Sequence, residues 1–439
     1  MMKSVRVSVA VAALVALSAC GIFKGGKKTP VLGERVAILA AETNIVADKT
    51  IADVQVVLPA ADTNAAWSQP GGNASKAMGH LALSETPSRV WTAKIAGTSG
   101  RVRLAAAPVV ASGTLFVMDT DGVVHAFDAA TGASRWRLAT ATGDENKGAR
   151  FGGGVSVDGA RVYATNGLGD VVAIDAAAGT EVWRKKPGGP LRGAPTVADG
   201  NIYIVSQDNQ LFALSQADGT VAWTQSGTLE SQGVFGAAAP AAAQGTIVAG
   251  FSSGELNAYR YENGRSLWSD TLSSSTISTS VSSLADIDAE PVIDQGRVYA
   301  VGQGGRIAAV ELASGQRLWE QNIAGISTPW VAGEWLFVMS DDARLVAIAR
   351  GSGKIRWIAQ QRAFKDVEDK KGPITWVGPV LAGNKLWLAN SRGELVPVSP
   401  IDGSAGTPIE LKDSISLSPL VAAGMLYVLT DKGEIIALR

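Results

Sequence analysis

Tryptophan and glycine recur along the chain in a fixed register, and this register constrains the fold more than any other feature. Each of six tryptophans has a glycine four residues before it, and five of the six have a proline 28 residues before. The pairs are Gly132 and Trp136, Gly179 and Trp183, Gly219 and Trp223, Gly264 and Trp268, Gly315 and Trp319, and Gly353 and Trp357. Successive tryptophans are separated by 38 to 51 residues. Constant offsets within units joined by loops of variable length are typical of a β-propeller.

Two further units bring the number of blades to eight. The seventh keeps the proline and glycine offsets but has Thr407 where the tryptophan is expected, and the last unit ends at Arg439 before a fourth strand. Residues 89–95 supply that strand, because an open ring would leave two unpaired sheet edges. The sequence therefore predicts an all-β fold over residues 88–439: an eight-bladed β-propeller with four-stranded antiparallel blades, closed by an N-terminal strand.

The third strand of each unit carries its own pattern. An apolar residue follows the turn by two positions, and an alanine follows two positions later in seven of the eight units, with Pro397 as the exception. We expect the alanine to allow close approach of neighbouring blades and the tryptophan to fill the wider gap between them. A tryptophan ring that stacks on a ligand is the alternative.

The N-terminus has the pattern of a bacterial lipoprotein signal. Lys3 and Arg6 precede an apolar run over residues 7–17, which is too short to span a membrane. The sequence Leu-Ser-Ala-Cys that ends at Cys20 matches the lipobox, so we predict a signal peptide over residues 1–19 and lipidation at Cys20. Glycine at position 21, rather than aspartate, favours anchoring in the outer membrane with the propeller on the periplasmic side.

Residues 20–87 show no strand repeat and are rich in alanine, glycine and threonine. We expect a lipidated N-terminus and a tether there, with a short helix around residues 36–41. A net charge of −1 with 18% charged residues argues against a nucleic-acid partner.

No catalytic or metal-binding set is apparent in the sequence. His80 lies in the expected tether, and His125 occupies a third-strand position that other units fill with unrelated residues. The single cysteine excludes a disulfide or a zinc–thiolate site within one chain. We therefore predict no enzymatic activity and no cofactor. Two long loops, residues 273–288 and the charged residues 362–372, are candidates for function, although either is also compatible with a solvated loop.

The repeat resembles the PQQ-type propeller family, for example over residues 170–183. One branch of that family, the quinoprotein dehydrogenases, has an adjacent-cysteine disulfide, calcium-binding carboxylates and an aspartate base, and this chain lacks the cysteines. The other branch is the BamB lipoprotein family. The lipobox, the eight blades and the Leu-x-Asp-x-Asp-x-x-Pro segment from Leu284 to Pro291 are similar to that branch.

The resemblance implies a non-enzymatic scaffold of the BAM complex that binds a POTRA domain of BamA. It also implies that the protein binds unfolded outer-membrane proteins and assists their folding and insertion. The contact loops precede the blades that begin at Pro240 and Pro291. In the second loop Asp286 and Asp288 correspond to acidic contacts, expected to form a paired acidic prong; ordinary turn-forming aspartates are the alternative.

In the first loop, the family's Leu-x-Leu-Arg-Gly run is replaced by residues 232–236, so Gln232, Val234 and Phe235 are the expected contacts and the arginine is absent. Exposed blade edges are a second candidate surface, for strands held by β-augmentation. The alternative function is a periplasmic quinoprotein-like dehydrogenase or a ligand-binding propeller.

Overall fold

The computed structural model describes residues 45–141, 149–150, 152–191, 193–229, 238–272 and 286–439. Its strands form eight four-stranded antiparallel sheets and one two-stranded hairpin, which confirms the eight-bladed propeller. The described residues include a 3-10 turn at Lys49–Ile51, and no helix among them is long and apolar enough to cross a membrane. Cys20 and residues 36–41 lie outside the described part of the chain.

Strand β1 lies before the first complete blade, at Arg89–Lys94. Blades 1 to 4 follow in chain order, and their strands are β2 (Val109–Ala111), β3 (Thr114–Met118), β4 (Val123–Asp128) and β5 (Ser134–Ala139); β6 (Gly153–Asp158), β7 (Arg161–Asn166), β8 (Val171–Asp175) and β9 (Glu181–Lys185); β10 (Thr196–Ala198), β11 (Asn201–Val205), β12 (Gln210–Ser215) and β13 (Val221–Ser226); and β14 (Ala241–Ala243), β15 (Thr246–Gly250), β16 (Glu255–Arg260) and β17 (Ser266–Thr271).

Blades 5 to 8 complete the ring, and their strands are β18 (Val292–Asp294), β19 (Arg297–Gly302), β20 (Arg306–Glu311) and β21 (Arg317–Gln321); β22 (Trp330–Ala332), β23 (Trp335–Met339), β24 (Arg344–Ala349) and β25 (Ile355–Gln360); β28 (Trp376–Ala382), β29 (Lys385–Asn390), β30 (Glu394–Val398) and β31 (Ile409–Glu410); and β32 (Leu420–Ala422), β33 (Met425–Leu429) and β34 (Glu434–Leu438). The hairpin β26 (Phe364–Asp366) and β27 (Lys371–Pro373) stands between blades 6 and 7.

The ring is closed by the first strand, as the sequence predicts. Strand β1 pairs antiparallel with β34, and the blade 8 sheet has the order β1-β34-β33-β32. Two further backbone hydrogen bonds of 2.8 Å join Ser88 and Arg439. The last blade therefore has four strands, although its outermost strand comes from the opposite end of the propeller sequence.

The recurring tryptophans join neighbouring blades, which confirms their predicted place. In every case the indole Nε1 donates to a backbone carbonyl in the turn between the third and fourth strands of the next blade, at 2.7 to 3.2 Å. A Cβ on the recurring glycine of that turn would meet the same indole; for Gly315 the distance to Trp268 would be 2.5 Å. Only glycine lets the turn lie against the ring. The donors and acceptors are Trp91 and Ala129, Trp136 and Ala176, Trp183 and Gln216, Trp223 and Tyr261, Trp268 and Leu312, Trp319 and Arg350, and Trp357 and Pro400.

The recurring alanine has a more specific reason than the sequence pattern indicated. It is the cross-strand partner of the tryptophan of its own sheet, for example Ala258 opposite Trp268, and a β-bulge follows it. A small residue there leaves room for the indole to lean toward the next blade. Pro397, the exception, belongs to the blade in which Thr407 replaces the tryptophan.

Residues 45–87 pack against the propeller, so the described part of the expected tether is not a free linker. Residues 62–82, which we call the strap, run once around the axis and hydrogen-bond to the innermost strand of every blade, in ring order from blade 8 through blades 1 to 7. The bonds join Asn64 to Val421, Trp67 to Val110, Ser68 to Val157, Gln69 to Val197, Ala74 to Ala242, Ser75 to Ile293, Gly79 to Trp330 and Leu81 to Leu381.

Candidate partner-binding face and axial cavity

An axial cavity of about 380 Å³ lies on one side of the strap. Its walls include Pro108 and Pro419, which directly precede the first strands of blades 1 and 8, and Pro379, which lies at a β-bulge within β28. Its floor includes Trp67 and Lys76 of the strap. The strap bonds to residues further along those strands. The cavity therefore lies at the end of the ring where the first strands begin and the chain enters each blade from the preceding one. The strap closes the axis on the other side of the cavity.

Proline suits the cavity wall for a backbone reason. The inner edge of each first strand has no neighbouring blade strand to pair with, and proline at an edge removes an N–H that would otherwise need a partner. The carbonyls that remain are used by neighbouring blades: Ser156 Oγ donates to Pro195 O at 2.6 Å and Thr196 Oγ1 donates to Pro240 O at 2.5 Å. The prolines that recur at a fixed offset in the sequence therefore lie near the axis of the ring.

The segments that join the fourth strand of one blade to the first strand of the next are called connectors here. The two loops that the resemblance assigns to partner binding are the connectors over residues 227–240 and 272–291, of which the structure describes residues 227–229, 238–240, 272 and 286–291. Of these described residues, Asp288 and Glu290 line the cavity. Gln232, Val234 and Phe235 of the first connector lie outside the described residues. The charged residues 362–372 belong to the connector between blades 6 and 7 and include the hairpin β26–β27, with Val367 exposed.

The structure places Asp286 and Asp288 in different environments. Asp286 is buried, with 1% of its surface exposed, and its backbone carbonyl accepts a hydrogen bond from Gln303 N at 3.0 Å. Asp288 is half-buried, lines the cavity, and accepts a hydrogen bond from Gln303 Nε2 at 2.9 Å. The two carboxylates therefore do not form the exposed pair that the sequence led us to expect, because the apolar residue between them, Ile287, packs under the connector against blade 4.

The acidic residues that line the cavity are Asp288 and Glu290. Glu290 is half-buried; burial raises the pKa of its carboxyl, and the positive charge of Lys76 opposes that rise. A hydroxyl from the next connector, Thr328 Oγ1, lies 3.3 Å from the Glu290 carboxylate. Arg103 is exposed and also lines the cavity, so charges of both signs are present.

Lys76 is the only buried lysine in the part of the chain that the structure describes. Its ammonium donates to Pro70 O at 2.9 Å and to Thr196 Oγ1 at 3.0 Å. Burial lowers the pKa of the Lys76 amine to about 8, and the negative charge of Glu290 acts in the opposite direction. Sequence reasoning missed this residue because residues 20–87 show no repeat that would place them inside the ring.

Both histidines have structural partners. Asn384 N donates to His80 Nε2 at 3.1 Å, so His80 Nδ1 carries the proton and donates to Pro59 O at 2.8 Å. His125 Nε2 lies 2.7 Å from the carboxylate of Asp119 in the adjacent turn. No group of three His, Cys, Asp or Glu side chains suited to a metal ion occurs among the described residues.

Comparison with known proteins identifies the family. The model of the family described as outer membrane protein assembly factor BamB matches residues 77–148 and 120–359. The outer membrane protein assembly factor BamB of Yersinia pestis is 27% identical over 355 residues, which cover 79% of this chain and 89% of that protein. The protein of the same name from Escherichia coli K12 is 28% identical over 354 residues, covering 80% and 88% respectively.

Solved structures agree with the fold. The crystal structure of BamB from Moraxella catarrhalis superposes with a TM-score of 0.66 at 16% identity, over 81% of this chain and all of that one. Quinohemoprotein alcohol dehydrogenase from Comamonas testosteroni superposes with a TM-score of 0.67 at 14% identity, over 91% of this chain and 83% of that one. At these identities the structures show the shared propeller alone, whereas the family match covers more than half of the sequence. This chain belongs to the outer membrane protein assembly factor BamB family.

Proposed function

We propose that this protein is a non-enzymatic scaffold lipoprotein of the outer-membrane β-barrel assembly complex. It docks on a POTRA domain of BamA through the cavity end of the ring and assists the folding and insertion of outer-membrane β-barrel proteins. Family membership is the observation that carries this proposal. Since the relatives are named as assembly factors, the family favours this function over the dehydrogenase alternative.

The proposed contact surface combines the two connectors. Asp288 is the acidic contact at the cavity, held in place by Gln303, and Asp286 supports the connector from within because it is buried. Val234 and Phe235 of the other connector supply the apolar part, and Gln232 beside them supplies a polar contact. An apolar neighbour excludes water from an ion pair, which strengthens the attraction between Asp288 and a lysine or arginine of the partner.

The test is charge reversal at Asp288 with a matched control on the opposite end of the ring. Asp288→Arg should weaken binding to the purified POTRA region of BamA by about 2–5 kcal/mol if the carboxylate is desolvated against a cation. Asp158→Arg changes the same charge at an exposed position, the last residue of the first strand of blade 2, and should leave the affinity unchanged. Undiminished binding by Asp288→Arg, in a variant that unfolds like the parent, would refute the docking surface.

Substrate strands are proposed to bind at the outer edges of the blades. The fourth strands have an unpaired edge and expose apolar side chains, including Val90, Val182, Val221, Leu267 and Leu318. An extended segment of an unfolded barrel protein could pair with such an edge and cover these side chains. Photo-crosslinkers at positions 182 and 267 should capture an unfolded outer-membrane protein, and a crosslinker at exposed Asp158 should not.

The membrane anchor is proposed to be a lipid on Cys20. Cys20→Ser should abolish acylation and release the protein from the outer-membrane fraction, because several acyl chains at about 0.8 kcal/mol per buried methylene hold the parent there. Mass spectrometry of the mature N-terminus is the measurement. An unmodified Cys20 in the parent protein would rule out the anchor.

A further inference from the structure

Lys76 joins the strap to three consecutive blades. Its ammonium is bound by the strap's own Pro70 carbonyl and by Thr196 at the start of blade 3. The Thr196 hydroxyl donates onward to the carbonyl of Pro240, the last residue before blade 4. On the other side, the Lys76 side chain lies next to Glu290, two residues before blade 5: a Cβ on Gly71 would lie 2.8 Å from both Lys76 Cδ and Glu290 Oε2.

These contacts reach the ends of both connectors of the proposed contact surface. Pro240 ends the connector over residues 227–240, and Glu290 lies at the end of the connector over residues 272–291. The strap also contacts the strand that follows the second connector, because Ile293 N donates to Ser75 O at 2.8 Å. One buried side chain thus lies between the ends of two connectors that are distant in sequence.

Stability gives no reason for a charged group at this place. Removing an ammonium from water is costly, and a buried ion pair is often replaced by apolar residues with no loss of stability. The Lys76 amine exchanges its water contacts for two hydrogen bonds and one neighbouring carboxyl, and Lys76 is the only lysine among the buried polar residues of the described chain. A residue of this kind is better explained by the geometry that it imposes on its partners.

We propose that Lys76 is a positioning residue for partner binding: from the strap, it holds the ends of the two connectors in the arrangement that the POTRA domain of BamA recognises. The inference rests on the docking function proposed above and adds a residue that does not touch the partner. Lys76 acts through Thr196 and Pro240 on one connector and through Glu290 on the other.

The main experiment replaces Lys76 by an uncharged side chain of similar length in the full-length protein. Lys76→Met should weaken binding to the purified POTRA region of BamA about tenfold, the scale for losing a support behind a binding residue. The matched control is Asn64→Ala in the same strap on the other side of the ring, which removes hydrogen bonds to Ala66 O and Val421 O. That variant should bind within about twofold of the parent, since a loss of this size belongs to stability rather than to the contact surface.

A second measurement separates positioning from general destabilisation. Hydrogen exchange at the amides of Ile287 and Gln303, which anchor the second connector to Phe251 O and Asp286 O, should accelerate in Lys76→Met and not in Asn64→Ala. If Lys76→Met does not fold, Thr196→Val removes the link to Pro240 with the lysine retained. Thr196→Val should then weaken binding and Thr196→Ser, which keeps the hydroxyl, should restore it.

The outcomes distinguish this inference from the function on which it rests. If Asp288→Arg abolishes binding while Lys76→Met binds like the parent, the positioning role is overturned and the docking surface stands. If Asp288→Arg also binds like the parent, the docking surface itself is wrong. Equal losses of affinity in Lys76→Met and Asn64→Ala would likewise overturn a specific role for Lys76, because they would reflect the strap as a whole.

Discussion

The outer rim and the axis of the propeller hold the same eight blades together by different means. At the rim, an indole from one blade packs on a glycine of the next and donates to its turn carbonyl, and this contact is repeated at seven junctions. At the axis, one irregular segment bonds to all eight blades in turn. A local change at the rim therefore weakens one junction, whereas a change in the strap affects residues on several blades.

The junction between blades 7 and 8 explains why one tryptophan is absent. The acceptor of each indole is the turn between the third and fourth strands of the next blade, and blade 8 has no such turn because its fourth strand is β1. A tryptophan at Thr407 would have no turn to pack on. Deviations from the repeat, at Thr407 and at Pro397 in the same blade, thus occur where the ring is closed by separate chain ends.

The largest effect is expected from removing the closing strand. Deletion of residues 88–95 removes the β1–β34 pairing and the Trp91 side chain, whose loss alone should cost about 3–5 kcal/mol. The exposed edge of β34 should also promote self-association. Thermal unfolding followed by circular dichroism, with size-exclusion chromatography, measures both. A deletion variant that melts like the parent would show that the ring does not depend on this closure.

A single rim contact should have the next largest effect. Trp268→Ala removes a buried indole and its hydrogen bond to Leu312 O, and should lower the free energy of unfolding by about 3–5 kcal/mol. Leu267→Ala on the same strand is the control, because Leu267 is 40% exposed, and should change stability by less than about 1 kcal/mol. Urea unfolding measures the difference, and similar values for the two variants would contradict the role of the indole.

The reason for glycine at the rim can be tested by comparing two turn glycines that have nearly the same φ. Gly315 has φ +75° and lies against Trp268, whereas Gly296 has φ +73° and open space around it. Alanine at either position incurs the left-handed backbone penalty of about 1–2 kcal/mol. Only Gly315→Ala must also displace the indole, which should add about 1–3 kcal/mol. Equal destabilisation in urea would mean that conformation alone requires the glycine.

The smallest effect concerns the axis and its pH dependence. The Lys76 amine has its pKa lowered from 10.5 to about 8 by burial, so between these values the unfolded chain holds a proton that the folded chain has released. Raising the pH through this window therefore favours the folded protein, by on the order of 1–2 kcal/mol from pH 8 to 10. The stability of the parent should rise relative to Lys76→Met over that range. A constant difference between the two proteins would show that burial does not lower the pKa of the Lys76 amine.

Residues repeated at constant offsets are enough to predict the ring: the number of blades, the closing strand and the place of each indole all follow from them. Such a pattern is readable because each turn glycine, alanine and tryptophan performs the same local task in unit after unit. It also directed attention to the connectors that carry the candidate contacts, including Asp288, although Asp286 proved to be buried.

The contacts at the axis could not be predicted without the folded ring. The strap bonds residues as far apart in the chain as Gln69 and Val197, separated by 128 positions, and no periodic pattern marks its residues. The burial of Lys76, its link through Thr196 to Pro240 and its position facing Glu290 arise because the ring brings three blades together around one side chain. Local preferences encode repeated turns, whereas a unique contact between distant segments exists only once the ring has closed around the strap.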